Sequence, residues 1–296
     1  MSSEHQISDL LPTLELDEYI SFDLETTGLD PQKDRITEIA ACRFINGKFK
    51  DEFISLINPG VPIPKKIVEI TGITDVMVAG APHISEVLPG LIEFLDQSPL
   101  VGHNVDFDYS FIINNCVAYN LEIPEVPIYD TLSLARSFIY FHNSFSLTAL
   151  CEYYDISIEN AHRASADARA TGQLFKYLIQ EAVSRPLTLI QQIDTLTQKA
   201  GINNRKLFTN ILKTAIRLNA VNGLLEAPSV YLPPNNIFEK KNLSSSSQLP
   251  DSSVEWFSDD GIICRNWKGY ENRVSQVDLI QDVYHAFSNG TILVAE

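Results

Sequence analysis

Three short runs of this chain hold residue types that could do chemistry at a shared site. The first is Phe22-Asp23-Leu24-Glu25-Thr26-Thr27-Gly28. In a strand, positions two apart share a face, so Asp23 and Glu25 project together while Phe22 and Leu24 pack behind them. Two carboxylates side by side repel unless a cation lies between them, and hard cations such as magnesium and manganese favour oxygen ligands. The same triplet could equally be a pair of exposed strand-edge acids, since charged side chains are ordinarily solvated. The second run, Val101-Gly102-His103-Asn104-Val105-Asp106-Phe107-Asp108, ends a strand and opens a helix. Asp106 and Asp108 both fall near that helix start, where a carboxylate either serves a site or simply caps free amides. The third run is His162-Arg163-Ala164-Ser165-Ala166-Asp167. Asp167 falls in the first turn of a long helical pattern, with His162 one loop away. A histidine titrating near neutrality can take a proton from water, or it can be a surface residue ahead of a capped helix.

The elements that must position these runs are legible in the spacing. Tyr19 to Leu24 alternates as a strand, and Ile36 to Ile45 and Lys48 to Ile57 form a hairpin around Asn46-Gly47, a dipeptide that tolerates a type I′ turn. Pro64 opens a short helix ending near Thr71-Gly72, Ile84 to Leu95 carries one apolar helical face, and Pro99 to Gly102 is a brief strand. Helical spacing recurs over Phe107 to Val117, Thr131 to Tyr140, Ser146 to Tyr153 and Ser165 to Ala182. Strands first, then strands alternating with helices, imply an α/β fold in which a mixed sheet is flanked by helices. Beyond Arg185-Pro186, Leu187 to Gln198 and Asn204 to Asn219 read as two helices, the second with Lys206, Lys213 and Arg217 on one side, a solvated face or a phosphate contact. Residues 227–253 are rich in proline, asparagine and serine and read as a linker. A helical run from Val274 to Phe287 and a strand from Thr291 to Ala295 follow.

At 296 residues, 45% hydrophobic and 20% charged, the chain has the mixture of a folded protein of about two domains. No stretch approaches the roughly 18 apolar residues of a membrane span, and the first 16 residues lack a signal-peptide pattern, so a cytoplasmic protein without membrane contact is expected. Cys42, Cys116, Cys151 and Cys264 have no paired spacing and read as reduced packing residues. The net charge of −16 is uneven: residues 1–180 hold 26 acids against 11 bases. Such a domain cannot grip many phosphates with lysines. Either divalent cations mediate contact with nucleic acid or the acidity serves solubility alone.

Taken in order, the three runs resemble the motifs of the DnaQ-like (DEDDh) 3′→5′ exonucleases, the family of the proofreading epsilon subunit of bacterial DNA polymerase III. The likeness runs from about Tyr19 to Ile179: Asp-x-Glu-Thr-Thr-Gly at Asp23 to Gly28, His-Asn-x-x-Phe-Asp at His103 to Asp108, and His-x-Ala-x-x-Asp at His162 to Asp167. It implies a ribonuclease H-like, mixed five-stranded sheet. It also implies that Asp23, Glu25, Asp108 and Asp167 hold two divalent cations, magnesium or manganese, about 4 Å apart. His162 would then be the general base, and Asp106 a bystander. Thr26 and Gly28 would line the terminal nucleotide, with Thr71 and Phe107 beside them. Thr71-Gly72-Ile73-Thr74 fits the family's substrate loop, whereas Lys66 stands where some relatives have an acid. The implied activity is removal of 5′ mononucleotides from DNA 3′ ends, single-stranded ones, in replication proofreading or repair, and the implied protein partner is a DNA polymerase subunit.

Gly269-Tyr270-Glu271-Asn272-Arg273 through Gln276, followed by a helix and Thr291 to Glu296, is similar to the lead-in of a DinG-type helicase, ahead of its phosphate-binding loop. No Gly-x-x-x-x-Gly-Lys-Ser/Thr is present, so no ATP binding is expected of this chain. The expected organisation is an exonuclease domain at 1–184, a helical region at 185–226, a linker at 227–253 and an incomplete helicase-like segment at 254–296. Three alternatives stay open: the exonuclease module of a truncated DinG-type helicase, an exoribonuclease, and a non-catalytic module that binds DNA ends or a polymerase.

Overall fold

The computed structural model describes residues 10–139, 143–158, 163–198 and 202–222, with Arg265. All but Arg265 belong to one unit, Met1–Tyr231. His162, the linker and the helicase-like segment apart from Arg265, Cys264 included, lie outside the described residues.

Five strands form one sheet: β1 (Glu18–Thr26), β2 (Ile36–Ile45), β3 (Lys48–Leu56), β4 (Leu100–Gly102) and β5 (Ile128–Asp130), in the order β3-β2-β1-β4-β5. The hairpin partners are antiparallel, whereas β1 pairs parallel with β4 and β4 with β5. The β2–β3 turn has positive φ at both Asn46 (50°) and Gly47 (72°), as its dipeptide predicts. The helices are α1 (Lys65–Thr71), α2 (Asp75–Val78), α3 (Ile84–Leu95), α4 (Val105–Ala118), α5 (Thr131–Phe138), α6 (Leu147–Tyr153), α7 (Ala164–Ser184), α8 (Leu187–Thr197) and α9 (Arg205–Asn222). Two elements escape the sequence patterns, β5 and α2, because three or four residues are too few to display a period.

Alternation along β1 and β2 divides the core into two layers. Ile20, Phe22 and Leu24, with Ile39 and Ala41, join an apolar cluster with α3 and α4. Tyr19, with Ala40, Cys42 and Phe44, joins the cluster built on α7, α8 and α9. Cys42, Cys116 and Cys151 are buried free thiols. Among the described residues no helix is long and apolar enough to cross a membrane.

Helix α7 is fixed along β1 by two side-chain hydroxyls. Tyr19 donates to the carbonyl of Gly172 (2.9 Å), and Ser21 donates to the carbonyl of Ala168 (2.6 Å). Two strand residues advance about 6.6 Å and four helical residues about 6 Å, so the two elements stay in step as they run in opposite directions. The next strand residue on that face is Asp23, and it comes level with the first turn of α7. This close approach depends on Gly172: a Cβ there would lie 2.1 Å from Cε2 of the fully buried Phe44, whose ring stacks on Tyr19 at 5.2 Å between centroids. Gly172→Ala should therefore destabilise the fold by about 1–3 kcal/mol, the usual cost of overpacking. Thermal unfolding checks this, and an unchanged midpoint would refute it.

Candidate active site

Asp23 and Glu25 stand on the α7 side of β1, two residues apart, and Asp167 stands in the first turn of α7. One carboxylate oxygen from each of the three lies within 4.8 Å of those offered by the other two. Asp108 reaches the same end of β1 from the opposite layer. Even-numbered residues of β1 direct their N–H toward β4, as Ile20 does in donating to Pro99 (2.9 Å), but β4 stops at Gly102. The Leu24 N–H lies beyond that end and donates instead to Oδ1 of Asp108 (3.0 Å), which is only 4% exposed. Early termination of one strand thus leaves a donor that holds a carboxylate at the site.

The electrostatics follow from this crowding. Burial, then the charges of Asp108, Asp167, Glu25 and Glu38, hold the Asp23 carboxyl well above the usual range. Burial, then Asp167, Glu38 and Asp108, push Glu25 up to about 8, opposed by Arg163. Burial pushes Asp108 up to about 7 against the lowering effect of the Leu24 hydrogen bond. Carboxyls that resist ionisation in the protein alone, with oxygen ligands converging, fit a hard divalent cation, which would stabilise their charged forms.

Motif two is organised around Asp130 at the end of β5. Its Oδ1 accepts from the N–H groups of Asn104 (2.7 Å) and Val105 (3.2 Å), and its Oδ2 from Ser133 (2.8 Å), so one carboxylate caps both α4 and α5. Neither acid of motif two is needed as the cap. Asp106 is exposed and accepts from Nδ2 of Asn203 (2.7 Å), while Asp108 turns inward. His103 is held between Oγ1 of Thr131 (2.9 Å) and the carbonyl of Phe145 (3.0 Å), and burial lowers its pKa. That arrangement ties it to the scaffold at the end of β4.

The nucleotide-lining candidates are more scattered. Thr26 is buried and donates to the carbonyl of Gly28 (2.7 Å). Gly28 packs so closely on the Asp34 carboxylate that a Cβ would lie 2.4 Å from its Oδ2. Thr71, buried at the end of α1, donates to Ile67 (3.1 Å) and accepts from Ile73 (3.1 Å). Phe107 is half-buried, its ring 5.2 Å from that of Phe111. Lys66 is exposed.

Two residues that the motif patterns leave unassigned belong to the site. Glu38 on β2 is directly opposite Glu25 and only 1% exposed. It pairs with Arg163, the residue before α7. The available signal was parity: Glu38 shares a face with Ala40, Cys42 and Phe44, all buried, so it is an acid on a core-facing register.

Residues 20–175 match the RNase_T exonuclease family. The PolC-type DNA polymerase III of Clostridium perfringens is 38% identical over 193 residues, covering 64% of this chain and 13% of that polymerase. The Thermotoga maritima PolC-type polymerase is 38% identical over 181 residues, covering 60% and 13%. This chain therefore spans only a small part of the relatives it matches. The zinc-bound complex of E. coli exonuclease I with single-stranded DNA shares the fold, with 21% identity, a TM-score of 0.52, and coverage of 60% of this chain and 43% of that one. The family match spans more than half of the sequence and contains every carboxylate described above, and on that ground the chain belongs to the DnaQ- and RNase T-type exonucleases, a family of divalent-metal-dependent nucleases.

Proposed function

We propose that this chain hydrolyses DNA from the 3′ end to 5′ mononucleotides, acting on single-stranded ends in replication proofreading or repair. The observation that carries the proposal is the convergence of Asp23, Glu25 and Asp167 within 4.8 Å, with buried Asp108 fastened to the same strand. Two divalent cations, magnesium or manganese, held by these four carboxylates would supply Lewis acidity at the phosphodiester and acidify a water. His162, one residue before Arg163, would accept the proton of the attacking water on a ring nitrogen. Thr26 and Gly28 line the terminal nucleotide, while the half-buried ring of Phe107 offers a face to its base and Thr71 closes the substrate loop. An excess of 26 acids over 11 bases in residues 1–180 suits a site that meets phosphates through cations instead of lysines. The activity belongs to residues 1–184, with 185–226 as a helical extension, and the PolC-type relatives support work beside a DNA polymerase.

Single-stranded DNA labelled at either end, incubated with magnesium or manganese and then with chelator, tests the polarity directly. Mononucleotides should leave the 3′ end only with metal and not with Asp23→Ala; release from the 5′ end or internal cutting would overturn the proposal. RNA of the same sequence, in parallel, reads the sugar preference.

His162→Ala should lower kcat by about 10²–10⁴-fold with its unfolding midpoint unchanged, and near-normal turnover would remove the base assignment. Asp108→Ala should abolish turnover, whereas Asp106→Ala should leave it close to wild type; equal losses would show that motif two is misaligned.

Without metal, Glu25 at about 8 and Asp108 at about 7 lie far above their ordinary values of 4.5 and 3.8. The folded protein therefore retains protons that the unfolded chain releases, so stability present at low pH is lost as pH rises through those folded-state values. In chelator the unfolding midpoint should fall between about pH 5 and about pH 8.5, and the gain from magnesium should widen over the same interval. A flat profile in chelator would contradict the proton retention.

A further inference from the structure

Five acids, not four, converge at this end of the sheet, and Glu38 differs from the others in how its oxygens are used. Its Oε1 accepts from Nη2 of Arg163 (2.5 Å), and its Oε2 accepts from Nε of Arg163 (3.1 Å) and from the backbone N–H of Ala164 (3.0 Å). The guanidinium thus meets the carboxylate as a two-pronged fork, the geometry in which an arginine fixes orientation as well as charge. Ala164 is the first residue of α7, and Arg163, at the N-cap position, supplies no side-chain cap to the helix. Glu38 supplies one from the neighbouring strand.

We infer that Glu38 is a positioning residue: through Arg163 and Ala164 it fixes the start of α7, and with it the placement of Asp167. Glu38 stands apart from the metal-holding acids: three N–H donors take most of the lone pairs on its two oxygens, and it is absent from the trio whose oxygens converge. Nor could it stand opposite Glu25 without a counter-charge, since like charges across a strand pair repel. Arg163, 38% exposed, supplies that charge from the rim of the site while Glu38 stays buried at 1%. The fork and the cap act on the segment between the third motif's histidine and its aspartate. Partners of this kind, which orient a metal site without binding the metal, carry losses of about 10–100-fold in affinity or activity when removed.

This inference rests on the exonuclease function proposed above, and the experiment separates the two. Glu38→Gln keeps the shape and an acceptor for Ala164 but loses the charged fork. Arg163→Lys keeps the charge but loses the fork from the exposed partner, so it remains informative if Glu38→Gln does not fold. Each variant, and the double variant, is assayed for kcat and KM on a single-stranded oligonucleotide, for manganese binding by calorimetry, and for its unfolding midpoint. Glu38→Gln should lower kcat and weaken manganese binding about 10–100-fold while KM for the oligonucleotide stays near wild type. Arg163→Lys should give a smaller loss of the same kind, and the double variant no more than Glu38→Gln alone, because the two act as one unit. Losses that multiply in the double variant, or an unchanged kcat and manganese affinity in Glu38→Gln, would overturn the positioning role. Abolition of manganese binding as complete as in Asp23→Ala would make Glu38 a ligand instead. If wild-type protein binds manganese but releases no nucleotide, the exonuclease proposal fails while the calorimetry still reads the clamp.

Discussion

The convergence of Asp23, Glu25 and Asp167 depends on how closely α7 lies along β1. Carboxylates on two separate elements converge only if those elements hold a fixed register, and the register is set by two buried hydroxyls, Tyr19 to Gly172 and Ser21 to Ala168. Neither contact touches the site. Their spacing, two residues on the strand against four on the helix, matches the rises of the two structures, so the pairing carries forward to Asp23 and the first turn of α7. The absent side chain at Gly172 lets the helix come this near to Phe44.

Convergence has an electrostatic cost that the fold meets locally. Burial and mutual repulsion raise the Asp23, Glu25 and Asp108 carboxyls, a state that favours protons or cations over free charge. Different backbone and side-chain donors hold different acids: the Leu24 N–H holds Asp108, and Arg163 with Ala164 holds Glu38. Asp23, Glu25 and Asp167 are the trio whose oxygens converge.

Much of this was legible in the sequence, for physical reasons that differ by element. The hairpin could be placed to within one residue because Asn46-Gly47 suits positive φ and the runs on either side are rich in apolar residues. Helix α3 matched its expected span, Ile84 to Leu95, because an apolar stripe of six residues has a clear period. Motif spacing brought Asp23, Glu25, Asp108 and Asp167 into consideration without any knowledge of register. Glu38 and Arg163 carry no motif pattern of their own in the sequence, since their meaning lies in a contact across 125 positions of chain. β5 was too short to announce itself, yet Asp130 at its end caps two helices.

The helices beyond residue 184 bear on that last point. Asn204, buried at the start of α9, accepts from the Asp130 N–H through Oδ1 (2.8 Å) and donates to the Asp130 carbonyl through Nδ2 (2.8 Å). A side-chain amide here pairs with both backbone groups of an edge-strand residue, as a neighbouring strand would, and so satisfies an edge that the five-stranded sheet leaves open. Asn203 meets Asp106 on α4. The family match ends at residue 175, but the contacts continue: α9 steadies Asp130, Asp130 caps α4, and α4 carries Asp108 to Leu24. The helical extension is thereby mechanically part of the second motif, and the placement of one carboxylate at the site is set in part by residues that the motifs themselves do not include.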